Sequence, residues 1–468
     1  MSRGVASDPE RSAPRPEGPG DPERPEGDAR EQAAWFVWIT WIGASLLAAA
    51  HTARDARSFP YSDDWNLTPV ISGRRPLSVG FLLERGNEPP LVVPRLVVST
   101  LAWVSGDFRL ASVLCLGLLS ITAAIGILTL RRVRGATALS DAVLPLALLP
   151  LTLSALSWGY HVHFVSTAVV GVLLLFVMTR FGLDVPVRWL AASAALLVVL
   201  LGEGPQGAAL LPFLALWVVL AALHMRHDRP RPAGWFLGVL GVVLAVWVVL
   251  VIGSIGRPAD PDLRATSLGG LVGDALRAAT APGGTQIHGF WPVTGLVMLA
   301  VLGSTVALLV VRWRGAGGDP DTRGRIVALA CFGAALGTLL LSIGFGRGSA
   351  SFVRGMENHY ADLLVGLVCW IYVVWDRFGG ELRARAGVVI LAAVIGLYAP
   401  ASATQWLRTA VTTNEAERAF RRDLCAGMPT RALVRTHIEY LDDDDENLAT
   451  VGVAITEYQK RRFGPFAC

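Results

Sequence analysis

The chain has 468 residues, of which 53% are hydrophobic and only 17% charged, with a formal net charge of +4. A soluble protein of this length carries about 25% charged residues. Here the mean hydropathy is +0.49 and the apolar residues come in long blocks, which excludes a soluble enzyme, a disulfide scaffold and a disordered chain. The composition is that of a polytopic membrane protein. Its 41 basic residues against 37 acidic ones do not point to nucleic acid, because the arginines cluster between apolar blocks and no basic stripe carries interleaved aromatics. Lys460 is the only lysine in a chain rich in Ala, Gly, Val and Arg, a composition expected of a high-GC bacterial gene.

Residues 1–32 are rich in Pro, Gly, Glu and Arg with almost nothing to bury, and read as a disordered cytoplasmic tail. The transmembrane region follows over residues 33–406. Its first span, Ala33–Ala50, carries Trp35, Trp38 and Trp41; the polar leader is too long for a signal-peptide n-region, so the span reads as an uncleaved anchor. Residues 51–109 form a long first external loop. Within it Leu91–Val104 is short, contains Pro94 and Arg95 and ends at Gly106-Asp107, which fits an interfacial helix better than a span.

The remaining spans are Leu110–Leu130, Ala142–Trp158, Phe164–Thr179, Val187–Gly202, Ala208–Leu223, Trp235–Ile255, Trp291–Val311, Ile326–Gly344, Ala361–Trp375 and Ala386–Trp406, about eleven in all. The connections holding Arg131/Arg132/Arg134, Arg180/Arg188, Arg226/Arg229/Arg231, Arg312/Arg314/Arg323/Arg325 and Arg377/Arg383/Arg385 then share one side, the cytoplasm. The expected protein is all-α, an integral multi-pass protein of the plasma (inner) membrane, N-terminus inside and C-terminus outside. Residues 407–468 form a small external tail, too small to be comfortably stable undocked. Between Arg257 and Phe290, the amphipathic piece Leu268–Ala279 is expected on the membrane surface. The acidic run Asp442–Glu446 reads as solvated surface.

The first loop breaks the charge asymmetry with Arg54, Arg57, Arg74, Arg75, Arg85, Arg95 and Arg109, which suggests an anionic ligand. Cys115, Cys331 and Cys369 fall inside spans as buried small hydrophobes. Cys425 and Cys468 both fall in the tail, where a disulfide can persist, although spacing alone does not establish one.

The loop opens Phe59-Pro60-Tyr61-Ser62-Asp63-Asp64-Trp65. Flanking aromatics put the two carboxylates near the outer headgroups. A carboxylate there can take a proton from a sugar hydroxyl or hold a divalent cation such as Mg or Mn; the same pair can also simply form a turn or a helix cap. The loop continues Gly86-Asn87-Glu88-Pro89-Pro90-Leu91-Val92-Val93-Pro94-Arg95-Leu96.

A first span, an external loop opening on Asp-Asp-Trp, then Asn-Glu and a Pro-Arg-Leu helix resembles the polytopic GT-C glycosyltransferases, in particular a bacterial group of such membrane proteins. Pro89-Pro90 stand where that group tends to have His-Arg. Gly346-Arg347 followed by His359-Tyr360 is similar to the group's Gly-Arg…Ser-Arg-Tyr segment, and the end of the tail, Tyr458 to Phe466, resembles its closing segment. The resemblance implies transfer of a sugar from a polyprenyl-phosphate donor to a glycan or lipid acceptor at the external face, with Asp63 or Asp64 as base, Asp64 preferred. Glu88 joins the substrate-binding set by the same resemblance.

Departing phosphate needs cationic donors, a role that suits arginine. The candidates are Arg95, which can instead snorkel to the headgroups, and Arg347, Arg354 and His359 around the Gly346–Ser351 turn, which backbone amides can also use to approach an anion. His161 and His163 can bind phosphate or a metal, or belong to an interfacial turn. Glu203, where two apolar spans meet, is either a functional acid or part of an exposed turn. A transporter or flippase of a lipid-linked or anionic substrate, and a polysaccharide polymerase or ligase, are the alternative classes; no clear internal repeat favours the transporter.

Overall fold

The computed structural model describes residues 26–84, 90–149, 158–226, 230–255, 267–283, 290–347, 358–380, 385, 408, 411–442 and 448–468. Among them the chain is helical throughout, with no strand, and seven helices are long and apolar enough to cross a membrane. The first is α1, Glu26–Asp55. It begins inside the stretch expected to be disordered, because Glu26, Asp28, Ala29, Arg30 and Glu31 are good helix formers or acids that suit a helix N-terminus. The expectation of a tail reaching residue 32 is therefore corrected at residues 26–32, and the rest of it lies outside the described residues.

Two four-residue helices, α2 (Thr68–Ile71) and α3 (Val79–Leu82), precede α4, Val92–Ser105. α4 is too short to rank among the seven, as the proline-bearing run led us to expect. It stops where Gly106 takes the left-handed conformation, φ +70°, which only glycine adopts without strain. α5 is Arg109–Arg134, closed by Gly135 at φ +80°. The six-residue α6, Val143–Leu148, covers the start of the expected third span, and residues 150–157 lie outside the described residues.

α7, Val162–Phe181, is the axis of the bundle. It is apolar around its whole circumference, the pattern of a helix packed on every side, and 94% of its apolar window is buried. It packs against α4, α5, α8 (Val187–Leu201), α9 (Pro205–Met225), α13 (Pro320–Arg347), α14 (Asn358–Leu363) and α15 (Val365–Phe378). Only 17% of the corresponding window of α1 is buried, so α1 is peripheral. α10 (Pro230–Ile255) and α12 (Val293–Gly315) complete the seven. The expected span Ala361–Trp375 is divided between α14 and α15 at Leu364. The expected span Ala386–Trp406 lies outside the described residues. α11, Leu268–Thr280, is amphipathic as expected and lays Asp274, Ala275, Ala278 and Ala279 against its neighbours α12 and α13.

One end of the bundle carries the arginine clusters. There Arg134 bonds to the carboxylates of Asp141 and Asp376 (2.7 Å to the latter), the Tyr372 hydroxyl donates to Asp141 Oδ1 at 2.8 Å, and Arg312 Nε donates to the Phe378 carbonyl at 2.7 Å. The opposite end carries the first loop and the C-terminal tail, which pack into one unit. The tail consists of α16 (residues 411–425), α17 (Thr430–Leu441), α18 (Leu448–Arg461) and a short 3₁₀ turn, Gly464–Phe466. Phe59 of the loop stands edge-on to Phe420 and Phe466 at 4.9 and 5.0 Å, and Trp65 Nε1 donates to the Leu441 carbonyl at 2.8 Å.

Cys425 and Cys468 form a disulfide, Cα–Cα 5.2 Å. The three remaining cysteines are free and buried, as expected of residues inside apolar helices. At the seam, a Cβ on Gly464 would lie 1.8 Å from the Gly106 carbonyl oxygen, so backbone meets backbone there. Asp442, expected on a solvated surface, is buried; residues 443–447 lie outside the described residues.

Candidate functional site

The adjacent carboxylates have opposite environments. Residues Ser62–Leu67 form a 3₁₀ turn, which rotates neighbouring side chains to different sides. Asp63 is exposed, within 3.4 Å of Asn66 Nδ2. Asp64 is 1% exposed. Its Oδ2 accepts from the Tyr61 amide at 3.2 Å. Its Oδ1 lies against Gly159, where an added Cβ would approach to 3.1 Å. The Gly159 and Tyr160 amides are near enough to favour the ionised form, yet no donor reaches Oδ1 with good hydrogen-bond geometry. Burial dominates and pushes the carboxyl up to about 8 from 3.8, with Asp63 adding repulsion.

Gly159–His161 is a 3₁₀ turn leading directly into α7, so Asp64 sits at the head of the central helix. Tyr160, on the same turn, hydrogen-bonds to Arg95 and lies within electrostatic range of Asp63 and Asp64. Arg95 is half-buried, and its Nη1 also donates to the carbonyls of Phe81 (3.0 Å) and Glu84. Arg95 thus ties α3 and α4 to the head of α7 instead of reaching freely outward.

Both histidines are buried, His161 in the 3₁₀ turn and His163 in the first turn of α7. His161 Nε2 lies 2.9 Å from Asp362 Oδ2 on α14. His163 Nδ1 is 2.7 Å from the Tyr160 carbonyl, which closes the turn locally. Glu203, between α8 and α9, is fully buried rather than exposed. Burial pushes it up to about 8, opposed by Ser166. The Ser166 hydroxyl donates to the Val162 carbonyl at 2.6 Å, and neither Glu203 carboxyl oxygen has a partner of good geometry. Cys115 on α5 feels both Asp362 and Glu203, which places these acids around one region. Burial of three acids and two histidines at one end of an apolar bundle is costly, which makes this end the candidate functional region.

The sequence candidates therefore divide. Asp64, Asp63, Arg95, His161, His163 and Glu203 gather around the head of α7. Glu88 and Arg354 lie outside the described residues; Arg347 ends α13 and His359 lies in α14. Asp362, which composition and spacing did not single out, completes the cluster; its signal was an acid at the edge of an apolar run. The loop arginines expected to await an anion have partners within the protein instead. Arg57 Nη1 donates to the Tyr440 carbonyl at 2.5 Å, Arg75 pairs with Glu84 at 2.6 Å, Arg109 with Asp107 at 2.5 Å, Arg74 with Glu457 at 3.9 Å and Arg54 with Asp55 at 3.5 Å. Arg85 lies outside the described residues.

A divalent cation needs several oxygen ligands converging on one point. Among the described residues no group of three His, Cys, Asp or Glu side chains is so arranged, and Asp63 and Asp64 face different surroundings. Compared with known proteins, the chain matches no family model, no curated protein and no solved structure.

Proposed function

We propose that the chain is a membrane glycosyltransferase that takes a sugar from a polyprenyl-phosphate donor and passes it to a glycan or lipid acceptor, with Asp64 as the base. The observation that carries this reading is the setting of Asp64: a buried carboxyl near 8, at the head of the central helix, with Tyr160 and Arg95 beside it. A general base works best when its pKa lies close to the working pH, and burial supplies that shift. Attack at the anomeric carbon requires the acceptor proton to be removed as the sugar–phosphate bond breaks. Asp64 takes that proton, and Arg95, bonded to Tyr160, meets the charge that gathers on phosphate.

In this reading the arginine end of the bundle faces the cytoplasm of a bacterial inner membrane and the loop–tail unit faces outward. The chain crosses about eleven times, with α6, α8, α14–α15 and residues 386–406 adding to the seven long helices. The test is sugar transfer in membranes from a labelled polyprenyl-phosphate sugar, with Asp63→Asn and Asp64→Asn made singly. Loss of transfer in Asp64→Asn with activity kept in Asp63→Asn is expected; full activity in Asp64→Asn overturns the assignment.

A second reading, a transporter of an anionic or lipid-linked substrate, draws on Glu203 and the His161–Asp362 pair, buried ionisable groups of the kind that relay protons. Sustained substrate flux in proteoliposomes without any acceptor would favour it.

A further inference from the structure

At the arginine end, far from the acidic cluster, a groove of about 270 Å³ runs between α5 and α8 over the surface of α7. Its sides are apolar: Ile125 and Leu128 from α5, Leu173 and Phe176 from α7, Leu196 from α8. Ile125 and Leu128 are more than a third exposed, so the groove opens where a bilayer surrounds the bundle.

The groove ends in charge. Arg132 and Arg180 lie seven residues beyond Ile125 and Leu173 on their respective helices, about 10 Å along the axis. They enter the same groove, with Trp189 of α8 beside them. Tryptophan favours the headgroup level of a bilayer. Among the described residues neither arginine has a carboxylate partner, whereas Arg134 nearby is neutralised by two. Arg180 lies over the Phe181 ring at 4.8 Å, a contact that leaves guanidinium donors available. Orientation by the positive-inside rule asks only for arginines in loops; it does not require two of them to converge on an apolar channel.

We infer that this groove binds one anionic membrane phospholipid, its phosphate held between Arg132 and Arg180 and an acyl chain laid along the channel. Basic pockets between transmembrane helices recognise phosphate headgroups in this way. The two un-neutralised cations select an anionic lipid over a zwitterionic one, because a zwitterionic headgroup brings its own cation to the same place.

The test uses the full chain in detergent micelles, titrated with phosphatidylglycerol or with phosphatidylcholine of identical acyl chains, reading bound lipid by native mass spectrometry and the shift in Tm. Retention and stabilisation by phosphatidylglycerol are expected. Each of Arg132→Ala and Arg180→Ala should weaken its binding about fivefold. Arg131→Ala, on an exposed residue outside the groove, should leave it unchanged, and Leu173→Trp, which fills the channel, should weaken it with both arginines present. Equal binding of the two lipids overturns the inference. So does equal weakening by Arg131→Ala, which would mean diffuse surface charge. Preference for a polyprenyl phosphate over phosphatidylglycerol likewise overturns the phospholipid assignment.

Discussion

His161 Nε2 and Asp362 Oδ2 are 2.9 Å apart, and both side chains are almost wholly buried. The contact joins the head of α7 to α14 across 201 residues of sequence. Removing one partner of a buried hydrogen bond costs about 1–3 kcal/mol. Asp362→Ala should therefore lower stability by about that amount. Asp362→Asn, which keeps a hydrogen-bond acceptor, should cost less. Thermal unfolding in detergent distinguishes the two, and equal effects would show that hydrogen bonding at this position is not what matters.

Asp64 should make stability depend on pH in a definite direction. Its folded-state carboxyl lies near 8 against an ordinary 3.8. Between about pH 4 and pH 8 the folded chain holds a proton that the unfolded chain has released, so stability attributable to Asp64 falls as pH rises and levels off above about 8. Asp64→Asn removes that slope: its Tm relative to the native chain should rise between pH 5 and pH 8. Glu203, also near 8, predicts the same relative trend for Glu203→Gln. A constant difference across this range would contradict the burial of these carboxyls.

Reduction should loosen the tail. The Cys425–Cys468 bond closes a loop of 43 residues, for which chain entropy gives about 4 kcal/mol. The double substitution Cys425→Ser/Cys468→Ser should expose the Lys460–Arg461–Arg462 sites of the C-terminal segment to trypsin while the helices of the bundle stay protected. Unchanged cleavage would mean that docking on the first loop alone holds the tail.

Phe466 is 2% exposed and its ring contacts those of Phe59, Trp65 and Tyr458. Phe466→Ala should cost about 3–5 kcal/mol locally. Hydrogen exchange should then quicken in two places distant in sequence, α17 and the Ser62–Leu67 turn. Quickening confined to the tail would show that the loop holds its shape unaided.

The all-helical, polytopic character was legible in the sequence, because a bilayer imposes a length of apolar helix that composition reports directly. Pro94 and Arg95 marked α4 as shorter than the seven long helices, and Asp63-Asp64 marked the loop. Tertiary consequences were not legible. Nothing local distinguishes Asp63 from Asp64, since a 3₁₀ turn against Gly159 decides which one is buried. Asp362 looked like the polar edge of an apolar run until α14 brought it to His161. Two of the loop arginines suggested a ligand because their partners, the Tyr440 carbonyl for Arg57 and Glu457 for Arg74, lie hundreds of residues away. The early start of α1 follows from helix propensity that low hydrophobicity masked.

Trp65 and the carbonyl that accepts from it are 376 residues apart, which has a consequence for biogenesis. The first loop emerges from the ribosome long before α17, α18 and Cys468. Until they arrive, Phe59 lacks Phe466, Trp65 lacks Tyr458 and Phe466, and the loop cannot complete its packing. Such long-range closure is slow and leaves apolar surface uncovered in the meantime. Chains truncated before α17 should therefore insert their helices yet display an unfinished loop, a substrate for quality-control proteases rather than a smaller working protein.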